Sequence, residues 1–208
     1  MKIIDPGYEI IYPQTPNDWL KEAKFVELAA RNCYKSENKI SDTSHKAIIK
    51  NLVSNDHMAM LEFGSIIIRL ICDRGVTHEL VRHRLSSYAQ ESTRYCNYSK
   101  DKFGNEITVV KPVQMEKDSG SYTVWKSTCE EAEKCYFELL AQNVSQQVAR
   151  SVLPTCLKTD IVMKTNFREL GHIFKLRISP KAHPDISYIF DKIYREVKQA
   201  LPEAFRDI

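Results

Sequence analysis

The chain has 208 residues, 43% of them hydrophobic and 27% charged, and a formal net charge of +3. That length supports a single domain, residues 1–208, with a substantial core, and the small positive excess does not by itself argue for nucleic-acid binding. Six cysteines form no C-x-x-C pair and no zinc-like cluster with histidine. MKIIDPGYEI lacks the apolar centre of a signal peptide, and no apolar run is long enough to span a bilayer. The expectation is therefore a cytoplasmic protein with free thiols, no metal and no membrane partner, although an even cysteine count is compatible with disulfides.

In chain order, the first helix signal is TPNDWLKEAKFVELAARNCYK. Thr15 can cap it, Pro16 suits its first turn, and Trp19, Ala23, Val26 and Ala30 recur at helical spacing. A second helix after Ser44 puts Ile48, Ile49, Leu52 and Val53 on one face. Residues 62–73, with the β-branched run IIIRLIC, read as a strand that Gly75 breaks. VTHELVRHR reads as a short helix, and the polar segment Leu85–Asn97 as a loop over a site. ITVV is a short strand. Tyr122–Gln142 is a long amphipathic helix. QQVARSVL is a helix capped by Ser145 and ended by Pro154. Cys156–Lys164 reads as a second main strand. Asn166 and Glu169 resemble a capping box for the next helix. The last helix, PDISYIFDKIYREVKQAL, aligns Ile186, Ile189, Phe190, Ile193 and Val197. Without a regular βαβ rhythm, this order favours α+β: helices packed on a mostly antiparallel sheet.

Six glycines, no two closer than eleven residues, leave no dinucleotide fingerprint and no P-loop, so side chains must hold any phosphate. RHRLSSYAQESTRY offers such a mixture. Arg82, His83, Arg84 and Arg94 supply cationic or ring donors, and Ser86, Ser87, Gln90, Ser92 and Thr93 supply neutral ones. A solvated basic face is the bland alternative. Arg177 falls on the apolar stripe of its helix, where a guanidinium needs an anion or a polar partner; a structural ion pair and a ligand role are both open. Arg168 and His172 share an adjacent face of that helix. Arg150 alone would read as a surface residue, and His57, near Glu62, as a loop or capping histidine.

Taken together these segments match a known family. Arg82-His83-Arg84, seven residues, then Ser92 resembles the signature of the flavin-dependent thymidylate synthases. NDHMAMLEF, VARSVLP and NFRELGHIFKLR resemble three further motifs of that family, in the family's order, so the resemblance covers about residues 15 to 205. Where members often carry Asn-Glu inside the signature, this chain has Ala89-Gln90, then Glu91. Ala59 stands where a hydroxyl residue is frequent.

The resemblance implies a homotetramer whose active sites combine residues of several subunits. It implies reductive methylation of dUMP to dTMP with FAD as cofactor and NADPH and 5,10-methylenetetrahydrofolate as co-substrates. FAD contacts then fall on His57, Ala59, Glu62, Arg82, His83, Arg84, Gln90, Asn166, Arg168 and His172. dUMP contacts fall on Glu79, Arg82, Gln90, Glu91, Ser92, Thr93, Arg94, Arg150 and Arg177. Arg177 is the catalytic candidate, lying against the uracil ring and favouring its anionic form. The signature contains no cysteine nucleophile; Cys96 lies just past it. Alternatives are flavin-dependent modification of another pyrimidine nucleotide, such as hydroxymethylation, and a nucleic-acid-binding module built on Arg82–Arg94.

Overall fold

The computed structural model describes residues 1–206. In chain order the elements are β1 (Lys2–Ile4), β2 (Gly7–Tyr12), α1 (Pro16–Tyr34), α2 (Ser44–Ser54), β3 (Ser65–Asp73), α3 (Arg74–Leu80), β4 (Ser86–Gln90), β5 (Thr108–Val110), α4 (Gly120–Ala141), α5 (Gln146–Ala149), β6 (Lys158–Asn166), α6 (Phe167–Arg177), α7 (Pro184–Ala200) and α8 (Pro202–Phe205). The fold is α+β with an antiparallel sheet, its four strands ordered β2-β3-β6-β4. A separate pair, β1 and β5, is parallel, with Ile3 opposite Val109. The six cysteines are free thiols. Among the described residues, no helix is long and apolar enough to cross a membrane.

The chain divides into two compact units. One comprises Met1–Gly7, Leu70–Leu80 and Ala89–Ile161. Its core joins Tyr98, Ile107, Val109, Cys129, Tyr136, Ala149 and Leu157, with α4 contributing Cys129 and Tyr136. Ser119 starts α4 by accepting the Tyr122 N–H at 3.1 Å.

The other comprises Tyr8–Arg69, Val81–Tyr88 and Val162–Ile208. Thr15 and Asp18 form a reciprocal capping box at the start of α1, and Trp19, Ala23, Val26 and Ala30 are buried as their spacing predicts. α7 buries Ile186, Ile189, Phe190, Ile193 and Val197. Phe167, the first residue of α6, stacks on Trp19 at 6.1 Å and meets Phe205 edge-on at 5.7 Å. The Phe167 N–H donates to the Gly64 carbonyl at 3.0 Å. Gly64 is required there by close approach: a Cβ would overlap the Phe167 ring and reach Val26 at 3.1 Å.

Several expectations are corrected. The strand starts at Ser65 rather than Glu62, because Met58–Phe63 winds into a 3₁₀ helix and Gly64 ends it. Inside β3 the burial alternates over most of the strand, with Ile66, Ile68, Leu70 and Cys72 on the buried face. α3 stops at Leu80; Val81 and Arg82 turn, which sends His83 inward and leaves Arg82 and Arg84 outside. Ser86–Gln90 is an edge strand, not a loop, its polar side chains bonding within the sheet. QQVARSVL splits into four α-helical residues and the 3₁₀ turn Arg150–Val152, and the Ser145 side chain makes no capping bond. The second main strand runs Lys158–Asn166, two residues later than expected. β1 and β2 were not anticipated.

Candidate active site

Two clusters, one in each unit, hold most of the residues singled out above. The first is built on α6. Asn166 caps this helix by accepting the Glu169 N–H at 2.8 Å. The Glu169 carboxylate does not complete a capping box. Its Oε1 lies 3.2 Å from His83 Nδ1, and both side chains are buried. On the other ring nitrogen, Arg177 Nε donates to His83 Nε2 at 3.0 Å. His172 packs edge-on against His83 at 5.9 Å, and the Tyr88 hydroxyl donates to the His83 carbonyl at 3.0 Å. Burial holds the His83 pKa below its ordinary value, the Arg177 charge adds to that, and Glu169 opposes it. His83 is therefore a neutral imidazole lodged between a cation and an anion.

His83, Glu169 and His172 place three potential metal-ligating atoms within 4.8 Å of one another. Both nitrogens of His83 are already engaged, one of them by a guanidinium, so the arrangement is a hydrogen-bonded relay rather than a metal centre. Next to it, Arg168, His172 and Lys175 line a groove of about 300 Å³ with Val53, Met58 and Phe167; Asp56 also lines it. Arg168 Nη1 donates to Glu62 at 2.7 Å, an exposed pair that orients more than it stabilises. His57 and Ala59, at the start of the 3₁₀ helix, are exposed.

The second cluster lines a pocket of about 520 Å³ with Arg74, His78, Thr93, Gln147, Arg150 and Ser151 among its walls. Arg150 Nη1 donates to Thr93 Oγ1 at 2.9 Å, and Thr93 is buried. Arg94 turns to Gln147, donating through Nε at 3.2 Å, and its carbonyl accepts from Gln146 at 2.5 Å. Arg74 Nη1 is buried and finds no partner among the described residues. No carboxylate lines the pocket among the described residues. Such a lining of guanidinium groups and hydroxyls offers donors that an anion such as a phosphate could accept.

The remaining signature residues are committed elsewhere. Gln90 donates to Thr77 and Thr159 at 3.2 and 3.3 Å. Glu91 accepts from Tyr98 and pairs with Lys158 at 3.1 Å. Ser92 Oγ accepts the Arg94 N–H at 3.3 Å. Glu79 is half-buried on α3. Arg82 and Arg84 are exposed.

Sequence reasoning missed Arg74, His78 and, as a partner of His83, Glu169. Arg74 and His78 lie four apart on α3, which begins at Arg74, two residues before the expected helix start at Val76; that both face one pocket was not readable. Glu169 carries a local capping signal that pointed to the wrong partner.

The α+β fold carries one basic pocket in one unit and one basic groove in the other, the equipment of an enzyme. The chain belongs to the flavin-dependent thymidylate synthase family: the family described as Thymidylate synthase complementing protein (Thy1) matches residues 17–203, a span with residues of both units. The flavin-dependent thymidylate synthase of Pyrococcus abyssi is 32% identical over 187 residues, covering 89% of this chain and 76% of that protein. The Geobacter sulfurreducens protein of the same name is 33% identical over 189 residues, covering 88% and 80%. Among solved structures, the UMP/dUMP methylase PolB from Streptomyces cacaoi bound with 5-Br dUMP superposes with a TM-score of 0.77 at 20% identity. The match covers 99% of this chain and 96% of that one, and it shows the shared fold.

Proposed function

We propose that this chain converts dUMP to dTMP, with 5,10-methylenetetrahydrofolate as carbon donor, NADPH as reductant and FAD as bound cofactor. One observation carries the substrate half of this reading: the unpartnered, buried Arg74 Nη1 in a pocket shared with Arg150 and free of carboxylates among the described residues. A buried guanidinium nitrogen without an acceptor is costly, and a nucleotide phosphate supplies acceptors. Arg150 and the Thr93 hydroxyl it holds add two more groups suited to phosphate oxygens.

The groove along α6 fits a flavin dinucleotide: Arg168 and Lys175 suit its diphosphate, His172 can hydrogen-bond a ring, and Phe167 and Met58 give an apolar floor. When bound, the flavin supplies the two-electron redox chemistry that the side chains lack. Glu62 orients Arg168, and Asn166 fixes the first turn of α6 from which these donors project. Arg177 is the catalytic residue in this reading. Its guanidinium stabilises negative charge developing on the pyrimidine edge, so that C5 can take the one-carbon unit. His83 holds it by Nε and, being neutral, adds no competing charge. The relatives named flavin-dependent thymidylate synthase and the fold shared with a dUMP methylase support the same reaction.

A homotetramer with shared sites belongs to this reading. The exposed Phe25, Leu28 and Phe63 support it, since such side chains seek cover; light scattering decides it. The decisive assay follows NADPH oxidation by the flavin-loaded protein with and without dUMP and the folate, then identifies the product. dTMP supports the proposal. A 5-hydroxymethyl product, or turnover with UMP alone, replaces it with the alternative pyrimidine chemistry. A purified protein that takes up no flavin overturns it.

A further inference from the structure

Two atom-to-atom contacts in the α6 cluster admit one proton arrangement. An arginine Nε always carries hydrogen and only donates. Because Arg177 Nε lies 3.0 Å from His83 Nε2, that nitrogen must offer its lone pair. The single imidazole proton then sits on Nδ1, 3.2 Å from Glu169 Oε1, which accepts it. Burial and the Arg177 charge keep the ring from taking a second proton. The chain therefore reads carboxylate, imidazole N–H, imidazole lone pair, guanidinium.

We infer that Glu169 is a positioning residue, one that acts through His83 to set the orientation of Arg177. The inference rests on the assignment of Arg177 made above. Without an acceptor at position 169, the Nδ1–H tautomer leaves a buried donor unsatisfied. The other tautomer points Nε2–H at Arg177 Nε–H, donor against donor, and pushes the guanidinium away. The first tautomer is thereby disfavoured, and the second breaks the hydrogen bond from Arg177 to His83. A misplacement on the order of 1 Å costs roughly 10²-fold in rate when the group acts by orientation. The logic is that of a buried carboxylate fixing the tautomer of a working histidine, with the histidine here serving as an acceptor rather than a base.

The local structure suits the role. Glu169 is near-fully buried, and its backbone is fixed by the Asn166 cap. The Tyr88 hydroxyl holds the His83 backbone from the other side. The carboxylate and the imidazole of the relay are thus both pinned before any substrate arrives.

The test uses the flavin-loaded protein labelled with ¹⁵N in histidine and arginine. In the wild type, His83 should be neutral and protonated on Nδ1, with the Arg177 Nε–H protected from exchange. A His83 protonated on Nε2 overturns the inference without any variant. Glu169→Gln keeps an oxygen acceptor, so it should retain the tautomer and the protected Nε–H. Glu169→Leu should lose both, and kcat should fall on the order of 10²-fold while the flavin spectrum stays. In an Arg177→Lys background, Glu169→Leu should add little, since the two act as one unit. Should Glu169→Leu retain tautomer, protection and kcat while Arg177→Ala is inactive, the positioning role fails and the Arg177 assignment stands. Full turnover in Arg177→Ala instead removes the assignment itself.

Discussion

Arg74 gives a test in which stability and binding move in opposite directions. Its Nη1 is buried without an acceptor among the described residues, and it lines the pocket that holds Arg150 and Thr93. Replacing it by Met, of similar length, removes the unsatisfied donor, whose burial costs about 1–3 kcal/mol. In a chain of this size each kcal/mol moves Tm by about 2–4 °C, so Arg74→Met should melt several degrees higher without ligand. The same change removes a charge-assisted hydrogen bond to phosphate worth about 1.5–3 kcal/mol. That is about a 10- to 100-fold weaker Kd for dUMP. At a dUMP concentration about 100 times the wild-type Kd, ligand stabilises the wild type by about 2.7 kcal/mol. For a variant about 30-fold weaker, the same formula gives about 0.9 kcal/mol. Added dUMP should thus narrow or invert the gap between the two melting curves. Deoxyuridine, which lacks the phosphate, should not distinguish them. The assay is thermal denaturation with dUMP and deoxyuridine titrations. A variant that melts lower than wild type and binds dUMP equally well refutes the reasoning, since it would place an internal acceptor on Arg74 and the phosphate elsewhere.

Arg177→Ala should lower kcat by at least ~10²-fold, the usual loss of one charge-stabilising donor, and leave bound flavin in place; Cys96→Ser should change turnover little. Steady-state kinetics and the flavin spectrum report both, and an inactive Cys96→Ser would reopen a thiolate mechanism. Gly64→Ala drives a methyl into the Phe167 ring and should destabilise by about 1–3 kcal/mol, read by urea denaturation with an unchanged m-value. His83 makes stability pH-dependent. Its folded pKa lies below the ordinary 6.5, first through burial, then through Arg177, with Glu169 opposing and His172 adding slightly. Below that ordinary value the unfolded chain binds more protons, so stability is complete above it and declines as pH falls toward the folded pKa. His83→Gln should flatten this part of the profile, measured by denaturation midpoints from about pH 5 to about pH 8. Burial raises the Cys72 thiol to about 12, so at neutral pH it should resist alkylation while exposed Cys33 reacts; rapid labelling of native Cys72 counts against its burial.

α1 and α7 were legible because their information is local. Thr15, Pro16 and Asp18 stand beside the helix they start, and the apolar stripes of both helices face the side that is buried. β4 was not legible, because S-S-Y-A-Q has no apolar face. Its strand character comes from its neighbours, with Ser86 donating to Thr165 at 2.8 Å and Gln90 to Thr159. Arg177 was flagged by its place on an apolar stripe, but its partner lies 94 positions away and could not be.

By itself the sequence determined the family, through four motifs whose spacing and order survive without coordinates, and it determined the helices that cap and stripe themselves. Tertiary structure alone decided which member of Arg82-His83-Arg84 turns inward, that Glu169 bonds His83 rather than its own helix cap, and that Arg74 Nη1 is left without an acceptor among the described residues. The reason is physical: a side chain's charge state and role follow from what it meets when water is removed, and packing brings together residues that the chain keeps 86 apart.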